Sequence, residues 1–211
     1  MRVDYTAMPE KEIIEKAARG NREAFGELVG RYQQKALALS CRLCGNPEDG
    51  ADAAQEAFLS AWRNLPAFRG DATFSTWLYR LVSNASMDIL RRRQRRDAHA
   101  GSSLDDEENP FDAPDPAPAP QEIAERRELR QALQDALNAL SPERREVLIL
   151  REIHQLSYEE IADALSLDIG TVKSRIHRAR EALRKILTER GTFSVSARLK
   201  GQERRAAYEK S

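Results

Sequence analysis

Apolar positions recur at helical spacing along most of the chain, and strand-like alternation is scarce. The clearest run is Val172, Ile176, Ala179 and Leu183, at steps of four, three and four. At about 100° per residue these fall in a narrow arc, the inward face of an amphipathic helix. Just before it, Ile161, Ala162 and Leu165 make a shorter stripe. Far upstream, Phe74, Leu78, Leu81, Val82, Ala85 and Ile89 mark the core face of a helix expected from about Ser75 to Arg96. Ala54, Ala57, Phe58, Ala61 and Leu65 do the same for Asp52–Leu65, with Trp62 at the edge. The chain therefore reads as all-α.

The periodic pattern comes in two blocks. The stretch between them, AHAGSSLDDEENPFDAPDPAPAPQ, is rich in Pro, Ala and acid and has little to bury, so it reads as a flexible linker. The expected organisation is a lead-in over 1–19, a helical domain over 20–97, the acidic linker over 98–121, a second helical domain over 122–190 and a polar tail over 191–211. Within the second domain, Ser141-Pro142 marks a helix start, with Ser as the cap and Pro in the first turn. The tail carries no functional signal.

The segment Ser157–Leu187 holds a short helix, a turn and a longer basic helix. Ser157 followed by Glu160 is a capping-box signal. Ser166-Leu167-Asp168-Ile169 reads as the turn, and Gly170 and Thr171 open the second helix, where small residues let backbone N–H groups approach a phosphate. Opposite the apolar arc lie Ser174 and Glu181, flanked by His177 and Arg178, with Lys173 further round. This is a helix-turn-helix, whose second helix enters the DNA major groove and reaches base edges and phosphates. A solvated surface helix is the plain alternative. The Arg excess, the Gly-Thr opening and the capped preceding helix speak against it.

Charge sharpens the picture. Among 211 residues, 34 Lys and Arg balance 34 Asp and Glu, which at first argues against a nucleic-acid binder. The charges are segregated, however. Asp97–Glu125 holds nine acids and no Lys or Arg, whereas Thr171–Arg190 and Arg69–Arg96 each hold seven bases against two acids. Local charge, not the sum, governs attraction to phosphate. No stretch is long and apolar enough to insert in a membrane and no secretion signal opens the chain, so the expected compartment is the cytoplasm. Cys41 and Cys44 form a lone CxxC with neither a second pair nor a nearby His, a pattern that favours a structural role over zinc or redox chemistry.

Two further surfaces belong to the first block. On the Asp52–Leu65 helix, Asp52, Gln55, Glu56, Leu59 and Arg63 gather on one side. A polar face with one Leu suits protein docking and equally suits solvent with an incidental Leu. On the next helix, Trp77, Arg80, Asn84 and Arg91 share a flank, a mix that grips single-stranded nucleic acid through phosphate contacts, stacking and amide bonds to base edges. Trp77 equally suits a core position near a helix start. The loop Pro66–Thr76, with Gly70, has room for an extruded base.

These segments together resemble the extracytoplasmic-function (ECF) sigma factors of bacterial RNA polymerase, close to the sigma-E-like branch. The resemblance rests on AFGELVGRYQ at 24–33, DAAQEAFLSAW at 52–62, FRGDATFSTWLYRLVSNASMDILRRR at 68–93, LSPERREVLILREIHQLSYEEIADAL at 140–165 and GTVKSRIHRAREAL at 170–183. It implies two helical domains, sigma-70 region 2 and region 4. It implies that Asp52, Gln55, Glu56, Leu59 and Arg63 dock on the clamp helices of the polymerase beta-prime subunit, with the beta subunit a further partner. Phe68, Arg69, Gly70, Trp77, Arg80, Asn84, Asp88 and Arg91 would open and read the promoter minus-10 element. Gly170, Thr171, Lys173, Ser174, His177 and Arg178 would read the minus-35 element. His177 stands where the branch carries a bulky aromatic, and Lys173 where it carries Arg, so the base preference departs from that of the branch. The family implies an anti-sigma factor as a partner, and no catalytic residue, cofactor or metal of its own.

Two rival readings remain at this level. A stand-alone operator-binding regulator would use the helix-turn-helix as a dimer and need no second DNA module. A nuclease would use Asp52 and Glu56 to hold Mg²⁺, but no further carboxylate motif accompanies them.

Overall fold

In the computed structural model, residues 5–100 and 120–189 are described, and no strand occurs among them. The elements are α1 (Glu10–Ala18), α2 (Arg22–Cys44), α3 (Pro47–Asn64), a single 3-10 turn (Leu65–Ala67), α4 (Phe74–Ala100), α5 (Pro120–Asn138), α6 (Pro142–Glu152), α7 (Tyr158–Leu165) and α8 (Ile169–Glu189). Helix α4 starts one residue earlier than the sequence pattern suggests and runs past Arg96. Both ends of the expected linker are thus helical, and 101–119 lie outside the described residues, as does the tail after Glu189.

The N-terminal body is built on α2, α3 and α4, which pack pairwise, with α1 laid against α2. Each junction has a local cause. Asn21 caps α2 by accepting from the Ala24 N–H at 3.0 Å. Gly45 ends it in the left-handed conformation at φ 82°, which favours glycine. Asn46 then caps α3 through the Asp49 N–H at 2.8 Å, with Pro47 in the first turn. Leu28, Leu39, Leu43, Leu65, Phe74, Leu78 and Val82 fill the centre, each almost wholly enclosed. Burying one such side chain stabilises the fold by roughly 1.5–3 kcal/mol.

The C-terminal body packs α6 and α7 on α8, with α5 alongside. Val147, Ile149, Leu150, Ile161, Val172, Ile176 and Ala179 form its centre. The stripe expected on α8 is buried at Val172, Ile176 and Ala179 and fades to partial exposure at Leu183. The capping box of α7 is complete: the Glu160 N–H donates to Ser157 Oγ at 3.0 Å, and the Ser157 N–H donates to Glu160 Oε2 at 2.8 Å. Two local expectations need correction. Ser141 occupies the cap position of α6 but its side chain makes no cap hydrogen bond. Helix α8 starts at Ile169, ahead of Gly170, because Asp168 is the cap: its carboxylate accepts from the Thr171 N–H at 2.8 Å and from the Thr171 hydroxyl.

The two bodies touch. Helix α6 lies against α2, and α7 against α4. The Arg145 guanidinium, 6 % exposed, is the central link. It donates to Leu43 O at 2.6 Å, at the carbonyl-rich end of α2, and to Leu137 O and Asn138 O of α5 at 2.9 and 2.8 Å. Carbonyls at a helix C-terminus lack partners within the helix and attract cations, so this placement satisfies both groups. Asn138 packs so closely over Gly45 that a Cβ there would lie 2.7 Å from its Oδ1.

Candidate nucleic-acid interface and docking face

Helix α3 turns Ala53, Ala54, Ala57 and Ala61 inward and leaves Asp52, Gln55, Glu56, Leu59 and Arg63 exposed on the opposite side. Leu59 is 44 % exposed, and Arg63 reaches Glu56 at 3.4 Å. The five residues of the expected docking face therefore share one accessible surface, and Trp62 at its edge is anchored on Phe25 with ring centroids 4.9 Å apart. No cluster of metal-ligating side chains occurs among the described residues.

The second surface forms where the 3-10 turn leads through Gly70 (φ 78°) into α4. Phe68, Phe74 and Trp77 make an aromatic cluster, Phe68 to Trp77 at 5.0 Å and Phe74 to Trp77 at 5.7 Å. Phe74 is core, whereas Phe68 and Trp77 are half-buried, so Trp77 both packs and shows. Arg69, Gly70, Arg80, Asn84, Asp88 and Arg91 are exposed, and Arg91 pairs with Asp88 at 3.1 Å. Phe68, Arg69, Gly70, Trp77 and Arg80 line a cavity of about 390 Å³. Asn84, Asp88 and Arg91 sit outside it, further along α4. Aromatic walls with guanidiniums at the rim suit a base and its phosphate.

The third surface is the exposed side of α8. Gly170, Lys173, Ser174, His177 and Arg178 are all exposed, and Thr171 is half-buried. Thr171 binds Asp168, whose carboxyl is held below the usual carboxylate range by the Thr171 hydroxyl and backbone N–H. Ser174 donates to Thr171 O at 2.9 Å, and His177 approaches Glu181 at 3.6 Å. Lys173 and Arg151 both lie over the Tyr158 ring, 5.9 and 4.8 Å from its centroid. On the same helix, Arg180 anchors α8 to Glu152 of α6 at 2.9 Å.

Cys41 and Cys44 are buried and unbridged. Burial pushes the Cys44 thiol up to about 12 and raises that of Cys41, so neither is a ready thiolate. Sequence reasoning passed over Thr76 and Asp163, which line the cavity, Ser166, which accepts from Arg80 at 3.1 Å, and Asp168. Only Asp168 left a signal, as an acid three residues before Thr171 at a helix start.

Residues 28–96 match the sigma-70 region 2 family, and residues 130–183 match the sigma-70 region 4 family. The chain is 38 % identical over 186 residues to the RNA polymerase sigma-H factor of Pseudomonas aeruginosa, covering 86 % of this chain and 95 % of that protein. It is 37 % identical over 179 residues to the ECF RNA polymerase sigma-E factor of Escherichia coli, covering 83 % and 93 %. Among solved structures, CnrH in complex with the cytosolic domain of CnrY is 31 % identical with a TM-score of 0.59, over 85 % of this chain and 97 % of that one. The sigma factor RpoE of Bartonella quintana, solved with the anti-sigma factor NepR, shares the fold at 24 % identity and a TM-score of 0.60, over 78 % and 96 %. The chain belongs to the ECF sigma factors of the sigma-70 family.

Proposed function

We infer that the chain is a promoter-specificity subunit: it binds RNA polymerase core and directs initiation, and the core supplies catalysis. The observation that carries the reading is the pairing, in one chain, of a capped helix-turn-helix with an aromatic-and-Arg cavity lined by Phe68, Arg69, Trp77 and Arg80. In this reading Asp52, Gln55, Glu56, Leu59 and Arg63 dock on the beta-prime clamp helices. Phe68, Arg69, Gly70, Trp77, Arg80, Asn84, Asp88 and Arg91 capture and read the unpaired minus-10 strand. Gly170, Thr171, Lys173, Ser174, His177 and Arg178 read the minus-35 element, with the N-terminus of α8 facing phosphate. The chain works in the cytoplasm, where its polymerase and promoter are. The described residues include no helix able to cross a membrane. CnrH was solved in complex with the cytosolic domain of CnrY, and RpoE of Bartonella quintana with the anti-sigma factor NepR; an anti-sigma factor is the proposed regulator here.

Association with purified bacterial core polymerase, measured by size exclusion and by fluorescence titration, tests the reading. The wild-type chain binds stoichiometrically, and Leu59→Asp weakens binding at least tenfold, about 1.4 kcal/mol or more, as for the centre of an interface. A wild-type chain that fails to bind core would return the helix-turn-helix to a stand-alone operator regulator.

A further inference from the structure

Three helices bring one ring and two cations together at the entrance of α7. Tyr158 is the first residue of α7, Arg151 is the last but one of α6, and Lys173 lies in the second turn of α8. The Arg151 guanidinium is 4.8 Å from the centre of the Tyr158 ring, and the Lys173 ammonium is 5.9 Å from it. Either contact alone would be an ordinary cation–π staple. The pair is less comfortable, because two like charges gathered at one ring repel each other. Arg151 is fixed there by donating to Leu156 O at 2.7 Å, just ahead of the cap of α7. Among the described residues, neither cation is in an ion pair. Arg180, two turns further along the same side of α8, is instead neutralised by Glu152 at 2.9 Å. The acids next to Tyr158 in the chain do not fill the gap: Glu160 turns back to the Ser157 N–H, and Glu159 is exposed. A ring, a guanidinium and an ammonium at the edge of a helix-turn-helix suit a singly charged anion of the phosphodiester kind.

The contact with Tyr158 also sets where the charge of Lys173 goes. At about 100° per residue, Ser174 and Arg178 lie roughly 100° and 140° round α8 from Lys173. Holding Lys173 over Tyr158 draws it away from them, toward α6 and α7. An ammonium is a point charge that suits phosphate, and it lacks the planar fork with which Arg reads a guanine edge. We propose that Arg151, Tyr158 and Lys173 form a clamp for a backbone phosphate: Lys173 supplies affinity and register at the minus-35 element, and base choice is left to Ser174, His177 and Arg178. This rests on the minus-35 role given to α8 above. It adds Arg151 and Tyr158 to that site and moves Lys173 from the bases to the backbone.

The test uses holoenzyme rebuilt from bacterial core polymerase and the full chain. The probe is a fluorescein-labelled duplex of about 20 base pairs, enriched from a randomised pool by the wild-type holoenzyme and read by anisotropy between about 50 and 200 mM salt. Lys173 is exposed, so Lys173→Ala leaves the fold intact. It makes the fall of log affinity with log salt shallower by about one, so its cost is roughly threefold greater at the low-salt end. Affinity drops by the same factor for duplexes altered at single base pairs, and their ranking stays as in wild type. Arg178→Ala is the contrast, relaxing the preference at one base pair. Tyr158→Leu keeps an apolar side chain without a π face and weakens binding. Adding Lys173→Ala to it costs less than Lys173→Ala alone, because the two act as one unit. Tyr158→Phe keeps the ring and stays close to wild type. A salt slope unchanged by Lys173→Ala overturns the clamp. So does a change of preference confined to one base pair, which would make Lys173 a base reader. Wild-type holoenzyme that enriches no duplex sinks the minus-35 reading itself, and the clamp falls with it.

Discussion

At the residue scale, one contact accounts for the burial of Cys41. Helix α3 crosses α2 at Gly50, where a Cβ would lie 2.6 Å from Cys41 Cα and 2.8 Å from Cys41 N. The CxxC pattern was visible in the sequence, but the place of Cys41 in it is set by a backbone approach between two helices that spacing cannot show. Gly50→Ala would ordinarily favour a helix by about 1 kcal/mol. Here the clash reverses the sign, and overpacking of this kind costs about 1–3 kcal/mol. Urea denaturation of the variant should show a lower midpoint with unchanged slope, and a raised midpoint would contradict the packing described. Arg145 and Glu146 were equally opaque. In PERREVLIL they look like two members of a solvated charge run, yet both are buried, because α6 turns them toward neighbouring helices.

At the scale of the element, the sequence was most legible where caps and periodicity agree. The α7 capping box, the α8 stripe and the exposed polar side of α3 all follow from spacing. Starts and ends were less so. Ser141 and Asp168 both precede helical runs, but only Asp168 caps its helix with its side chain, whereas Ser141 bonds α6 through its backbone carbonyl alone. Ser157→Ala removes one of the two capping-box bonds and should destabilise the C-terminal body by about 1 kcal/mol, read as a lower midpoint in thermal denaturation. An unchanged midpoint would mean that the box contributes nothing. The aromatic-and-Arg surface was half legible: the flank of α4 could be drawn on a wheel, but whether Trp77 packs or shows could not. The structure gives both, because Phe68 from the preceding loop shares the aromatic cluster.

At the scale of the whole molecule, a buried carboxyl and a half-buried imidazole at the junction make its stability depend on pH. Burial raises the Glu146 carboxyl to about 7, with Ser83 and Arg91 of α4, Arg175 of α8 and Glu143 of its own helix around it. Burial lowers His154 to about 4, helped by Arg42 and Lys35 of α2, with Tyr79 of α4 against its ring. The signs oppose. The contribution of Glu146 is complete below its ordinary value near 4.5 and is lost as pH rises to about 7. That of His154 is complete above its ordinary value near 6.5 and is lost as pH falls to about 4. Glu146→Gln removes the first. The variant should gain on the order of 2 kcal/mol over wild type between pH 5 and pH 8 in urea denaturation. A gap that stays constant with pH would contradict the burial of this carboxyl. None of this was readable in the chain, because the junction joins residues about a hundred positions apart.

The central claim is that this chain gives a polymerase its choice of start site. Run-off transcription with bacterial core polymerase on a library of genomic promoters tests it most directly. The account predicts discrete transcripts that appear only when the chain is present, and that fall sharply with Trp77→Ala or Arg178→Ala. Core polymerase that starts at no new site when the chain is added would contradict it.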